Sequence, residues 1–176
     1  YLLASPRQTG DLLFNTLTWI GLAVSILIIY KESYNKDFLQ RFCKIGNIVD
    51  CNEILHSKAA SINGIITLGE MALLYYSTLF LSTAFHIPLY YSIWTWATCI
   101  SIAFTLWSVG YQVIIARKLC MFCLSIDIII WLQALVLFST DMAAWHLNIS
   151  SIFAFILIGT LCCTAWYALK ELLDSV

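Results

Sequence analysis

Of the 176 residues, 61% are hydrophobic and only 11% charged, whereas an ordinary soluble domain is roughly 25% charged and 45–50% apolar. Nine Lys and Arg against ten Asp and Glu leave a formal charge of −1, with no basic stripe to hold a phosphate backbone, so a soluble globular domain and a nucleic-acid binder are both excluded. Two prolines and seven glycines leave long helix-capable runs, which excludes the disordered and low-complexity classes and points to an all-α polytopic membrane protein.

A helix needs about 20 apolar residues to cross the roughly 30 Å hydrocarbon core, and five runs qualify: 12–30, 64–85, 92–115, 119–138 and 149–169. Each is continuously apolar rather than alternating, so helices are predicted and a barrel is not. The first run is no cleaved signal peptide, because a charged flank and not a small-residue site follows Tyr30. The chain begins at Tyr1 rather than Met, which is consistent with residues removed upstream. One domain spanning 1–176 is the economical organisation. The connections are short except for residues 31–63, a polar insert with five of the nine basic residues, four acids and two cysteines. Within it Tyr34, Phe38 and Phe42 recur every four positions. That spacing fits either a short amphipathic helix on the membrane surface, ended by Gly46, or a solvated loop.

The seven cysteines sort by position. Cys99, Cys162 and Cys163 fall inside spans three and five, where a thiol ordinarily serves as a small buried hydrophobe. Cys43 and Cys51 lie in the insert, and Cys120 and Cys123 form a Cys-x-x-Cys at the start of span four. Two spans separate the pairs, so both emerge on one side of the membrane whatever the absolute orientation. Asp50, three residues before Glu53, resembles a capping box that would put Cys51 in the first turn of a short helix, at the positive end of its dipole. Arg117 and Lys118 directly precede Cys120. Both settings are expected to lower thiol pKa values. Cys-x-x-Cys alone is equally at home in a zinc site, but two pairs brought to helix starts on one face favour a disulfide relay.

Residues Val49-Asp50-Cys51-Asn52-Glu53-Ile54-Leu55-His56-Ser57, then Gly64-Ile65, then Cys120-Met121-Phe122-Cys123 resemble the vitamin K epoxide reductase family, in its bacterial form. The resemblance covers nearly the whole chain. It implies a four-helix bundle around a quinone such as menaquinone or ubiquinone, with a fifth transmembrane helix. It further implies electron flow from a thioredoxin-like partner through the loop pair to the membrane pair. By that carry-over Cys43 and Cys51 are the shuttle thiols, Cys120 exchanges with Cys51, Cys123 faces the quinone, and Ser57 gives polar support. Bacterial relatives often have Pro where Ile66 stands and a thioredoxin-like domain after span five, whereas this chain stops at Val176. The implied partner therefore acts in trans or belongs to a missing fused domain. Animal members carry a tyrosine four residues after the second membrane cysteine, where this sequence has Asp127.

Cys120, Cys123 and Asp127 are spaced to share one helical stripe, with Asp127 about 10 Å below Cys120. Glu70, six residues into span two, falls at about 9 Å by the same arithmetic. The two acids are thus expected at one depth, as hydrogen-bond donors or proton sources for a quinone, because ionisable groups inside a membrane are costly enough to imply function. The alternative for each is a bond to a neighbouring Ser, Thr or Trp between helices.

Disulfide chemistry places the insert on the oxidising, exoplasmic side, periplasmic for a bacterial inner membrane. That leaves eight of the nine basic residues outside against Arg7 inside, contrary to the positive-inside rule. The insert's five bases are nearly balanced by its four acids. A different class of function, a membrane metal-binding or transport protein with a four-cysteine zinc site, accounts for the cysteines but leaves the two acids unexplained unless they line a cation path. A structural membrane subunit with incidental thiols accounts for neither.

Overall fold

The computed structural model of the chain describes residues 6–34, 44–45, 49–51, 54, 61–62, 66–84, 90–140 and 149–174. Five helices carry the fold: α1 (Pro6–Tyr34), α2 (Leu68–Ala84), α3 (Tyr90–Gly110, continued by π-helical turns over Tyr111–Ala116), α4 (Met121–Ser139) and α5 (Ile149–Asp174). Four stretches within α1, α3, α4 and α5 are long and apolar enough to cross a membrane. The 17 residues of α2 make about 26 Å of helix, at the short end of the spanning range. Large apolar side chains stay uncovered on the outer faces, Leu12, Ile114 and Phe153 each being about 70% exposed. Such patches suit lipid and not water. The chain is an all-α integral membrane protein.

Helix α2 begins four residues after Gly64. Thr67 and Glu70 form a reciprocal capping box, with Thr67 N–H donating to Glu70 Oε2 at 2.8 Å and Glu70 N–H to Thr67 Oγ1 at 3.3 Å. These two bonds satisfy otherwise orphaned donors and fix the helix start. Just before it, β3 (Ser61–Ile62) pairs antiparallel with β4 (Ile66–Thr67), and earlier in the insert β1 (Lys44–Ile45) pairs antiparallel with β2 (Val49–Asp50). Asp50 ends β2, and Cys51 and Ile54 are helical. Tyr34 is the last residue of α1, while the amphipathic stretch through Phe38 and Phe42 lies outside the described residues.

Helices α1 to α4 form a bundle in which α1 packs on α2 and α4, and α3 on α4; α5 lies outside, against α2 and α3. Close approach of α1 to α2 needs Gly21, because a Cβ there would run into the ring of fully buried Tyr76. At the end away from the cysteines Phe14 stacks on Trp94 with centroids 4.1 Å apart, and Tyr91 donates to Asp11 Oδ2 at 2.8 Å. Near mid-depth the buried Gln133 ties helices together: its Nε2 donates to Thr18 Oγ1 at 3.0 Å and its Oε1 accepts from Tyr75 at 3.4 Å. An amide in hydrocarbon requires such partners.

Candidate active site

The α3 to α4 turn decides where the membrane thiols sit. The π-helical end of α3 is closed by Arg117, which takes the left-handed conformation at φ 50°, and the chain re-enters the bundle with Cys120 as N-cap of α4. Cys123 N–H donates to Cys120 Sγ at 3.4 Å, so the sulfur satisfies one of the helix's first free amides. Cys51, Cys120 and Cys123 share one buried cluster with Ile28, Ile54, Tyr76 and Ile126. The Cys51 and Cys120 thiols lie within hydrogen-bonding reach of each other. Cys43 and Ser57, the other loop residues expected at the site, lie outside the described residues.

The expected lowering of the thiol pKa requires correction at Cys120, just outside the spanning segment of α4. Hydrogen bonding to the Cys123 thiol pushes the Cys120 thiol well above its ordinary value, burial adds to the rise, and the contact with Cys51 opposes it. Cys120 has no exposed surface, whereas Arg117 is exposed. The neighbouring Cys123 thiol and burial set the direction at Cys120.

Beside Cys123 lies a cavity of about 240 Å³ lined by residues of α1, α2, α3 and α4. Its wall is mostly apolar, from Ile28, Leu68, Ala72, Phe104, Ile126 and Ile130, with polar groups from Tyr75, Ser101, Thr105, Ser108, Cys123 and Asp127. An apolar chamber with a few convergent polar groups is the usual form of a small-molecule site. Cys123 and Asp127 both line it, whereas Cys120, within reach of Cys51, does not. Asp127 is 6% exposed and its Oδ2 accepts from Ser108 Oγ at 3.5 Å.

Glu70 does not join Asp127 at the cavity. Its Oε2 is taken by the Thr67 cap, and its Oε1 accepts from Trp166 Nε1 at 3.1 Å and from Lys170 Nζ at 2.7 Å. The alternative of a bond between helices therefore describes it better: equality of depth along two helix axes says nothing about azimuth, and this side chain points toward α5. Glu70→Gln is expected to lower thermal stability by about 1–3 kcal/mol through loss of charge-assisted hydrogen bonds. Glu70 is not among the residues lining the cavity, so a substitution that changed ligand binding there without changing the melting temperature would return it to the site.

Sequence reasoning missed Gln112, Ser108 and Tyr75. A signal for the first two was present: Ser101, Thr105, Ser108 and Gln112 recur at helical spacing through an otherwise apolar span, which marks one polar stripe facing the bundle. Of the remaining thiols Cys162 is buried and Cys99 and Cys163 are partly so, and none lines the cavity. Among the described residues no group of three or more His, Cys, Asp or Glu side chains is placed to hold a metal ion, and a four-cysteine zinc site would need Cys43, outside them.

No curated protein matches the chain. Residues 12–138, from α1 through nearly all of α4, match the vitamin K epoxide reductase family. That stretch contains both cysteine pairs, the residues lining the cavity and Asp127, and the chain is a member of the vitamin K epoxide reductase family, which makes it a membrane oxidoreductase.

Proposed function

We propose that the protein passes two electrons at a time from a thioredoxin-like partner, through Cys43 and Cys51 and then Cys120 and Cys123, to a quinone held in the cavity. The observation that carries this reading is the order of groups: Cys51 within hydrogen-bonding reach of Cys120, the Cys120 sulfur accepting from Cys123 N–H, and Cys123 on the cavity wall. Each exchange is a thiolate attack on a disulfide sulfur. The reduced partner attacks the Cys43–Cys51 disulfide and leaves oxidised, giving two loop thiols. The Cys51 thiolate then attacks Sγ of Cys120 in the Cys120–Cys123 disulfide and releases the Cys123 thiolate. Cys43 attacks Sγ of Cys51, restores the loop disulfide and leaves Cys120 and Cys123 reduced.

The cavity residues fit a quinone. Its apolar walls suit a ring with a hydrocarbon tail, Cys123 offers the electron donor at the rim, and Asp127 offers a polar partner for a ring oxygen. When bound, a quinone supplies an acceptor for two electrons and two protons. As Cys123 gives up the electrons, Cys120 supplies the second sulfur of the disulfide and releases its proton at the site. When it carries a proton, Asp127 is able to donate a hydrogen bond where charge develops. Ser57 supports the loop thiols. The reactive face is periplasmic in a bacterial inner membrane, where oxidising conditions maintain the loop disulfide.

The purified chain in lipid, given dithiothreitol and a menaquinone or ubiquinone analogue, is expected to reduce one quinone per dithiol oxidised. Quinone loss followed by absorbance and thiol loss followed by alkylation must agree. No quinone reduction above the uncatalysed rate with either analogue would remove the reading.

A further inference from the structure

We infer that Gln112 is a positioning residue that, through Ser108, orients the Asp127 carboxyl toward the cavity while anchoring the backbone of Cys120. This rests on the quinone reading above and adds a group that the relay itself does not use. Gln112 is only 1% exposed although it lies in an apolar span, where an amide is retained at a cost. Its Oε1 accepts from Cys120 N–H at 2.8 Å, its Nε2 donates to Ser108 Oγ at 3.3 Å, and Ser108 Oγ donates to Asp127 Oδ2 at 3.5 Å.

The direction of this chain follows from chemistry. A backbone N–H only donates, so the amide oxygen of Gln112 must face Cys120 and its NH₂ must face Ser108. The Ser108 oxygen then accepts, which frees its hydrogen for Asp127. With that hydrogen directed at Oδ2, a proton on the carboxyl is carried by Oδ1.

Gln112 is suited to the task because its own backbone is pinned. Its carbonyl accepts from Arg117 N–H at the π-helical terminus and from Lys118 N–H at 3.2 Å. π-helical turns recur at functional sites. Here the turn ends at the residues that lead into Cys120. In the relay the Cys120 sulfur must bond alternately to Cys123 and Cys51, and an anchored amide lets the sulfur swing while its Cα stays in place. One amide thus serves both the exchanging thiol and the carboxyl 10 Å deeper by helical rise.

Two variants separate the halves. Ser108→Ala cuts the link to Asp127 and leaves the Cys120 anchor, and Gln112→Glu keeps an acceptor for Cys120 N–H but loses the donor to Ser108. Each is expected to shift the infrared carboxyl stretch of Asp127, identified by its loss in Asp127→Asn. Each should also lower kcat for the quinone roughly tenfold, the worth of one hydrogen bond, with Cys51 to Cys120 exchange at the normal rate. Ser108→Thr, which restores the hydroxyl, should restore band and kcat. Gln112→Leu should shift the band and slow the exchange as well. An Asp127 band unmoved in Ser108→Ala and Gln112→Leu, or a normal kcat in Ser108→Ala accompanied only by a lower melting temperature, overturns the inference. The infrared measurement is made on resting protein, so absence of quinone turnover in the unsubstituted chain would defeat the quinone reading while still deciding the network.

Discussion

Cys123→Ser is expected to abolish quinone reduction and to accumulate a Cys51–Cys120 disulfide with Cys43 left as a free thiol. Cys123 is the thiol on the cavity wall, so its loss removes the electron donor rather than weakening it, and turnover should fall to the uncatalysed rate. Cys120 keeps its place within reach of Cys51. Its thiolate attacks Sγ of Cys51 in the loop disulfide, Cys43 departs as the thiolate, and no neighbour remains on α4 to attack Cys120 and resolve the mixed disulfide. Peptide mapping under non-reducing conditions reads the product directly. A dominant Cys43–Cys120 bond would exchange the roles of the loop cysteines, and normal turnover in Cys123→Ser would defeat the relay altogether.

The second large effect is expected at Asp127. Asp127→Leu removes a hydrogen-bonding group from a chamber whose walls are mostly apolar, and loss of one such donor in a dry site costs about 10²–10³ in kcat. It also leaves the Ser108 hydroxyl without its acceptor, a destabilisation of about 1–3 kcal/mol. Asp127→Asn keeps the shape, an acceptor for Ser108 and a donor for a quinone oxygen, but cannot release a proton. The Asn variant should therefore bind quinone with near-normal KM and turn over slowly, while the Leu variant loses both. If Asp127→Leu reduces quinone at the normal rate and merely melts earlier, Asp127 is a packing residue.

The membrane class, the five apolar runs and the meeting of Cys51 with the membrane pair follow from local facts. Hydrocarbon demands about 20 apolar residues per crossing, and parity along the chain is indifferent to packing. The stripe through Cys120, Cys123 and Asp127 was likewise legible, because residues on one helix have a fixed angular relation, and Cys123 and Asp127 do line one cavity. Relations between helices were not. Depth alone paired Glu70 with Asp127, but the rotation of α2 about its axis is set by packing, and it sends Glu70 to Trp166 and Lys170 of α5. The thiol chemistry of Cys120 was misjudged for a similar reason. Basic neighbours in sequence are visible, while burial to 0% exposure comes only from the assembled bundle. Gln112 is the clearest case. Its spacing from Ser108 is on the page as sequence, but its reach to the Cys120 amide depends on a π-helical turn and a left-handed Arg117, backbone states that no side-chain pattern encodes and that tertiary packing selects.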